Sequence, residues 1–263
     1  MPKATSSVIH PGAIVHAGAE LANDVSVGPF SVIGPQVKIG AGTRVASHVV
    51  IKGPTTIGQQ CEIFQFSTVG EATPDLKYNG EPTTLTIGNR NVIREGVTLH
   101  RGTVQDRGDT FIGDDNLFMA YAHVGHDCVI ANHCIFVNNA VLAGHVHVDD
   151  WVIVGGYAGI HQYCFLGAHS FVGGMSKVTQ DVPAYVIAEG HPASPRMINA
   201  EGLKRRGFSR EDIAALQRAY KTLYRKQLSL KEAVEGLREM AAESAVVAPF
   251  LASVERSQRG IIR

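Results

Sequence analysis

The chain has 263 residues, enough for one large domain or two modest ones. Its 24 Lys and Arg balance 24 Asp and Glu, which excludes a global field that would draw nucleic acid or a membrane surface. Four cysteines are too few for a disulfide framework, no apolar leader segment opens the sequence, and no run is long enough to span a membrane; a soluble, unsecreted, cytoplasmic protein is expected.

A repeat of six begins at Ile9. Stepping by six gives Val15, Leu21, Val27, Ile33, Ile39, Val45, Ile51, Ile57, Ile63 and Val69, all branched aliphatics. Gly often follows the aliphatic (Gly28, Gly34, Gly40, Gly58), where it permits tight backbone geometry at a turn. Small residues (Ser31, Thr43, Ser67) stand four places after it. A period of six fits neither an amphipathic helix nor an alternating strand. It fits a short strand plus a turn. Three such units close a coil of about 18 residues, and coils stack as parallel strands. At about 4.8 Å per layer, roughly nine coils make a prism on the order of 40 Å tall.

The segment GEATPDLKYNGEPTTLT at 70–86 interrupts the repeat, which returns in the same phase at Ile87, Ile93 and Leu99. RGTVQDRGDT at 101–110 interrupts it again. The pattern then shifts by one and runs from Ile112 through Val124, Ile130, Leu142 and Ile160 to Val178 without a break. Insertions in solenoids gather on one face and often serve binding; the alternative is a neutral surface excursion.

The stretch AHVGHDCVIANHC at 122–134 has the look of a metal site, but the repeat separates its parts. Cys61, Cys128, Cys134 and Cys164 each stand four after an aliphatic, the small inward position, and are expected to be buried apolar groups. There is no C-x-x-C pair, so structural zinc has no support. His126 and His145 fall on the turn side. Residues one coil apart should stack, so Asp127 lies under His145, and His126 under Gly144 and then Gln162. With His123 and His161 they form one vertical polar patch. A lone surface His is usually just solvated, but a stacked column is a candidate site.

The repeat ends after Val186. Ser209 to Asp212 and Ser229 to Glu232 are capping-box starts, followed by Ile213, Leu216, Ala219, Tyr220 and Leu223, and by Val234, Leu237 and Met240, at helical spacing. A shorter helix is expected near Phe250 to Arg256. Residues 1–190 are thus read as the β-helix and 191–263 as a small helical domain that also covers an open sheet edge. Lys204, Arg205 and Arg206 form either a solvated basic turn or a phosphate grip.

Together AHVGHDC (122–128), NNAVLAGHV (138–146), IHQYCFLGAHSFVGG (160–174), QDVPAYVIAEG (180–190), EGLKRRGFSR (201–210), DLKYNGEPT (75–83) and HRGTV (100–104) resemble one family end to end. It is the hexapeptide-repeat UDP-N-acetylglucosamine O-acyltransferases of lipid A biosynthesis. The resemblance implies a mainly β fold, a left-handed parallel β-helix of hexapeptide repeats followed by a small α-helical domain. It implies a homotrimer with sites in clefts between neighbours. The implied reaction moves an (R)-3-hydroxyacyl chain from acyl carrier protein to the 3-hydroxyl of UDP-N-acetylglucosamine. His126 is implied as general base, Asp127 as its orienting partner and Gly144 as the oxyanion donor. His123, His145, His161 and Gln162 are implied substrate contacts. Asp75 and Lys77 are placed near the sugar nucleotide, and Asn199, Glu201 and Arg205 on the nucleotide or its phosphates. Gly174 stands where a small residue admits a long acyl chain, with Phe171, Met175 and Pro192 nearby.

No G-x-S-x-G elbow, Walker loop or H-E-x-x-H occurs, so direct attack without an acyl-enzyme and without metal or organic cofactor is the simplest route. A γ-type carbonic anhydrase on the same fold would need a His pair five apart, which this sequence lacks. The N-acyltransferase of the same pathway would need a uridine-binding domain ahead of Ile9. A trimeric scaffold without activity is a third reading, since fold does not decide function.

Overall fold

The computed structural model describes residues 8–263. Short strands, most of two residues, are dealt in rotation onto three sheets. Val8–Ile9 opens the first sheet, Ile14–Val15 the second and Glu20–Leu21 the third, and Ser26–Val27 returns to the first. Neighbours within the repeat are parallel, with aliphatic over aliphatic: Val27 beside Val45, Val45 beside Ile63. Each circuit is one layer of a triangular prism. This is the parallel β-helix expected from the period of six, with the left-handed coil that the family resemblance implies.

The registers explain the phase of the repeat. Ile39 pairs with Ile57, 18 residues on, but Ile57 pairs with Ile87, 30 residues on. The first insertion therefore adds 12, two whole hexads, and leaves the phase unchanged. Leu99 pairs with Val124, 25 residues on, so the second insertion adds seven and shifts the phase by one. Both insertions leave the second sheet and re-enter on the third: 72–83 lies between strands Thr68–Glu71 and Thr84–Ile87, and 101–108 between Thr98–His100 and Asp109–Ile112. They occupy the same corner of the prism.

The ladder residues fill the interior. Ile33, Ile51, Val69, Leu99, Val124, Leu142 and Val154 are fully buried. Phe118 and Phe136 stack face to face across one layer, centroids 4.8 Å apart and 2° from parallel. Deleting such a ring removes apolar burial and leaves a cavity that rigid coils cannot close. Phe136→Ala should cost about 3–5 kcal/mol of stability, read from the shift in a denaturant midpoint. All four cysteines are buried and unpaired. Burial pushes the Cys128 and Cys134 thiols up to about 12, and their Sγ atoms donate to the carbonyls of Ala143 and Asp149.

The glycines after the aliphatic do provide tight backbone geometry, but except at Gly70 (φ 77°) they are not the left-handed residues of the corners. That conformation falls two places later, on Asp127 (φ 58°), His145 (φ 63°) and their counterparts up the column. What Gly125 provides is clearance: a Cβ there would lie 2.8 Å from the Gly144 nitrogen one coil above.

Beyond the repeat, Val186–Gly190 and Ala193–Ile198 form an antiparallel hairpin that ends the first sheet. Four helices follow: α1 (Ala200–Arg205), α2 (Arg210–Tyr224), α3 (Leu230–Glu243) and α4 (Ala248–Glu255). Ser209 and Ser229 close the two expected capping boxes, with Asp212 and Glu232 as reciprocal partners. The chain then returns to the prism. Asp181 bridges to Ile261, and Ser253 accepts the Ala184 N–H, so the tail packs back onto the upper layer. Among the described residues no helix is long and apolar enough to cross a membrane.

Candidate active site

The corner that carries both insertions also carries the polar column. His126 and Asp127 lie between strands His123–Val124 and Val129–Ile130. One layer up come Gly144 and His145, and one more His161 and Gln162. The left-handed turn at Asp127 directs its carboxylate inward, where it is fully buried. There it accepts from the Thr103 N–H (2.9 and 3.0 Å), from the Thr103 hydroxyl (2.6 Å) and from His126 Nδ1 (2.8 Å). Burial works against the ionised form, but the His126 and Thr103 hydrogen bonds outweigh it and hold the carboxyl below its ordinary value.

An anionic acceptor at Nδ1 keeps the proton there. The lone pair of the neutral His126 ring is then on Nε2. That atom is 3.9 Å from an Asp75 carboxylate oxygen, beyond hydrogen-bond length. The ring lies across Gly144: a Cβ built there would meet Cε1 and Nε2 at 2.5 Å. The Gly144 N–H makes no hydrogen bond among the described residues, while its carbonyl accepts from Tyr163 N at 3.2 Å. His145 stands edge-on to His126, centroids 4.8 Å apart, donates from Nδ1 to Asp106 at 2.7 Å, and stacks on Tyr163 at 4.3 Å. His161 and Gln162 are exposed at the top of the column. The first insertion brings Asp75 over the corner, where its carboxylate accepts the Lys77 N–H at 2.9 Å.

His123 bonds Thr98 through Nδ1 at 2.7 Å and meets His100 edge-on one layer below. Among the described residues His100 Nδ1 is buried without a partner, and burial, with His123 next, lowers the imidazole to about 4. Its folded value lies below its unfolded value. The neutral ring is therefore tolerated above about pH 6.5, and stability falls as pH drops from there through 4. Denaturant melts across that range should show this loss, and His100→Gln should flatten the profile.

The arrangement is an oriented imidazole, a buried carboxylate behind it and a free backbone N–H beside its reactive nitrogen. It suits proton removal from a hydroxyl that attacks a carbonyl. The second domain of the UDP-N-acetylglucosamine O-acyltransferases matches residues 181–262, and bacterial transferase hexapeptide repeats match 18–53 and 109–144. An acyl-[acyl-carrier-protein]–UDP-N-acetylglucosamine O-acyltransferase of Stutzerimonas stutzeri is 61% identical over 257 residues, 98% of this chain and 100% of that protein. Solved UDP-N-acetylglucosamine acyltransferases of Francisella novicida and Moraxella catarrhalis superpose with TM-scores of 0.95 and 0.94, each 42% identical. Each alignment covers 97% of this chain, with 94% and 99% of the respective structures.

The chain belongs to the UDP-N-acetylglucosamine O-acyltransferase family.

In this acyltransferase not every expected site residue shares the corner. Asn199 caps α1, accepting the Gly202 N–H, and donates to the His169 carbonyl at 3.0 Å. His169 lies at the corner between third and first sheets, beneath Tyr185 and above Trp151 and His133. Glu201 is exposed and pairs with Lys204 at 2.7 Å, and Arg205 is exposed on the same helix. Gly174 is at the remaining corner, between first and second sheets, where a Cβ would lie 3.3 Å from the Gly156 carbonyl. The stretch AHVGHDCVIANHC is likewise divided. His133 stacks on Trp151, one corner away from His126.

Thr103, Asp106, Thr110 and Tyr163 were not expected. Thr110 Oγ1 accepts the Asp127 N–H at 2.8 Å. Tyr163 could have been found by stepping 18 from His145. Thr103 and Asp106 sit in an aperiodic loop, and no spacing rule reaches them. Ligand atoms of His126, Asp127 and His145 lie within 4.8 Å of one another, a geometry open to a metal ion. Both Nδ1 atoms already donate to carboxylates, so only the Nε2 atoms could meet an ion, and Asp127 already accepts from the Thr103 N–H, the Thr103 hydroxyl and His126.

Proposed function

We propose that the protein transfers an (R)-3-hydroxyacyl chain from acyl carrier protein to the 3-hydroxyl of UDP-N-acetylglucosamine, in the cytoplasm, as the first step of lipid A biosynthesis. The observation that carries the reading is the His126 Nδ1–Asp127 bond, which leaves Nε2 as a base beside the unbonded Gly144 N–H. The sugar 3-oxygen attacks the thioester carbonyl as its proton passes to Nε2. The carbonyl oxygen takes negative charge and is met by the Gly144 N–H. The intermediate collapses with loss of the C–S bond, and His126 returns the proton to the leaving thiolate. No acyl-enzyme forms, in keeping with the buried thiols. His123, His145, His161 and Gln162 flank the substrates. Asp75 and Lys77 meet the sugar nucleotide, and Gly174 sets acyl length.

The working unit in this reading is a homotrimer. Asn199, Glu201 and Arg205, assigned to the nucleotide, are a corner away from His126 in one chain, so a neighbouring copy must supply them. An exposed apolar face that such a neighbour would cover is at hand. Phe30, Phe66, Tyr121, Tyr157 and Met175 run up the corner between first and second sheets, from 63% exposed at Tyr121 to 77% at Met175.

Purified protein should convert UDP-N-acetylglucosamine and 3-hydroxyacyl carrier proteins of increasing length into a monoacylated sugar nucleotide, detected by mass. Absence of product with every donor would send the reading to an amine acceptor and to metal analysis.

A further inference from the structure

The first insertion is hydrogen-bonded to the prism at one point. It is buried at Thr73 and again at Thr83, while Leu76 and Lys77 between them are exposed, Leu76 completely. Its own hydrogen bonds mostly stay inside it. The Asp75 carboxylate accepts the Lys77 N–H, the Asp75 carbonyl accepts the Tyr78 N–H at 3.0 Å, and the Glu81 carboxylate accepts the Asn79 N–H at 2.9 Å. These bonds give the loop a shape but do not fix its place over His126. The approach of Asp75 to His126, at 3.9 Å, is too long to hold it there. Among the described residues one hydrogen bond joins 74–82 to the rest of the chain: Arg101 Nη2 donates to the Tyr78 hydroxyl at 3.2 Å. The phenol in turn donates to the Glu81 carbonyl at 2.8 Å, so its oxygen serves in both senses.

Arg101 also holds the point where the loop departs. It follows strand Thr98–His100, and its Nη1 donates to the carbonyls of Gly53 and Gly70, the latter at 3.1 Å. Gly70 lies in strand Thr68–Glu71, from which the insertion leaves, and has φ 77°. A Cβ there would lie 2.1 Å from the Thr55 hydroxyl oxygen and 2.2 Å from the Lys52 carbonyl, so the exit is sterically set. One guanidinium therefore grips both the exit of the loop and its middle. Glu71, whose carboxylate feels the Arg101 charge, is paired instead with Lys52 at 2.6 Å. A planar fork with donors at two nitrogens can span a pair of carbonyls and a phenol. A lysine ammonium reaches from a single nitrogen on a flexible stem.

We propose that Arg101 and Tyr78 are positioning residues. Their bond latches the first insertion over the His126 corner and so sets Asp75 and Lys77 for the sugar nucleotide. The part that concerns the sugar nucleotide rests on the acyl-transfer reading above; the latch itself does not.

Tyr78→Phe deletes the hydroxyl and keeps the ring. Hydrogen–deuterium exchange of the intact protein, read by mass on peptides spanning 72–83, should run about tenfold faster in this variant, the size expected for one bond to a charged group. Peptides from the interior ladder should be unchanged. Equal exchange in 72–83 overturns the latch, whatever the activity. Steady-state kinetics test its consequence. The KM for UDP-N-acetylglucosamine should rise about tenfold, with kcat and the KM for the acyl donor within about twofold of wild type. An unmoved sugar nucleotide KM, or an equal rise in both KM values, overturns the positioning role. In a chain that already carries Asp75→Ala and Lys77→Ala, Tyr78→Phe should add nothing, and a full tenfold effect there would also overturn it. Arg101→Lys should match Tyr78→Phe in both measurements; should it misfold, Tyr78→Phe decides alone. Faster exchange with no product from any donor would leave the latch standing and remove the acyl-transfer reading alone.

Discussion

His126→Ala is expected to lower kcat by about 10²- to 10⁴-fold, the usual worth of a positioned general base, with the KM values moved far less. The ring is only partly exposed and its Nδ1 is held by Asp127, so truncation removes the base without opening the core. Asp127→Asn should be nearly as severe for a different reason. The carboxylate accepts from the Thr103 N–H, the Thr103 hydroxyl and His126 Nδ1 while fully buried. An amide has one acceptor oxygen and an NH₂ group that would face a donor, leaving a buried group unpaired at about 1–3 kcal/mol. The imidazole is then free to take the other tautomer, with its proton on Nε2, where it cannot act as base. Single-turnover kinetics with saturating donor would read both effects. Wild-type turnover in His126→Ala would remove this residue from the chemistry.

Gly144→Ala should lose about 100-fold in kcat while leaving the fold intact. The backbone N–H survives the substitution, and Gly144 has no left-handed φ that Ala would resist. The cost is steric: the new methyl would stand 2.5 Å from His126 Cε1 and Nε2, so the ring must swing away from its bond to Asp127. Displacing a reacting group by about 1 Å can cost 10²-fold. Gly159→Ala is the control, since a Cβ there meets nothing within 4 Å. Equal activity of the two variants would show that the ring is not held against Gly144 during turnover.

The repeat was legible because every layer makes the same demand. One aliphatic per side must enter the interior, and the chain must turn within six residues. Periodicity therefore reported the strands, the buried cysteines and, by counting 18, the alignment of His126 under Gly144 and of Asp127 under His145. The capping boxes at Ser209 and Ser229 were legible for a similar reason, since their partners lie three residues away. The hairpin strand Ala193–Ile198 and the short helix α1 carry no such local period and were not anticipated.

What the sequence by itself determined is the set of local and periodic relations: prism, column, turns and caps. These follow from spacing alone, because burial and hydrogen bonding repeat along the chain with fixed step. What only the tertiary structure decided is how aperiodic segments meet that frame. It put both insertions on one corner, so that Thr103 could hold Asp127 and Asp106 could hold His145. It placed Asn199 and Gly174 on the other two corners, and it brought Arg256 and Arg259 back to the third sheet. Such contacts join residues from 24 to 39 positions apart for Thr103–Asp127 and Asp106–His145, and farther still for the tail. They depend on loop closure and on which faces the helices cover, and no spacing in the chain encodes either.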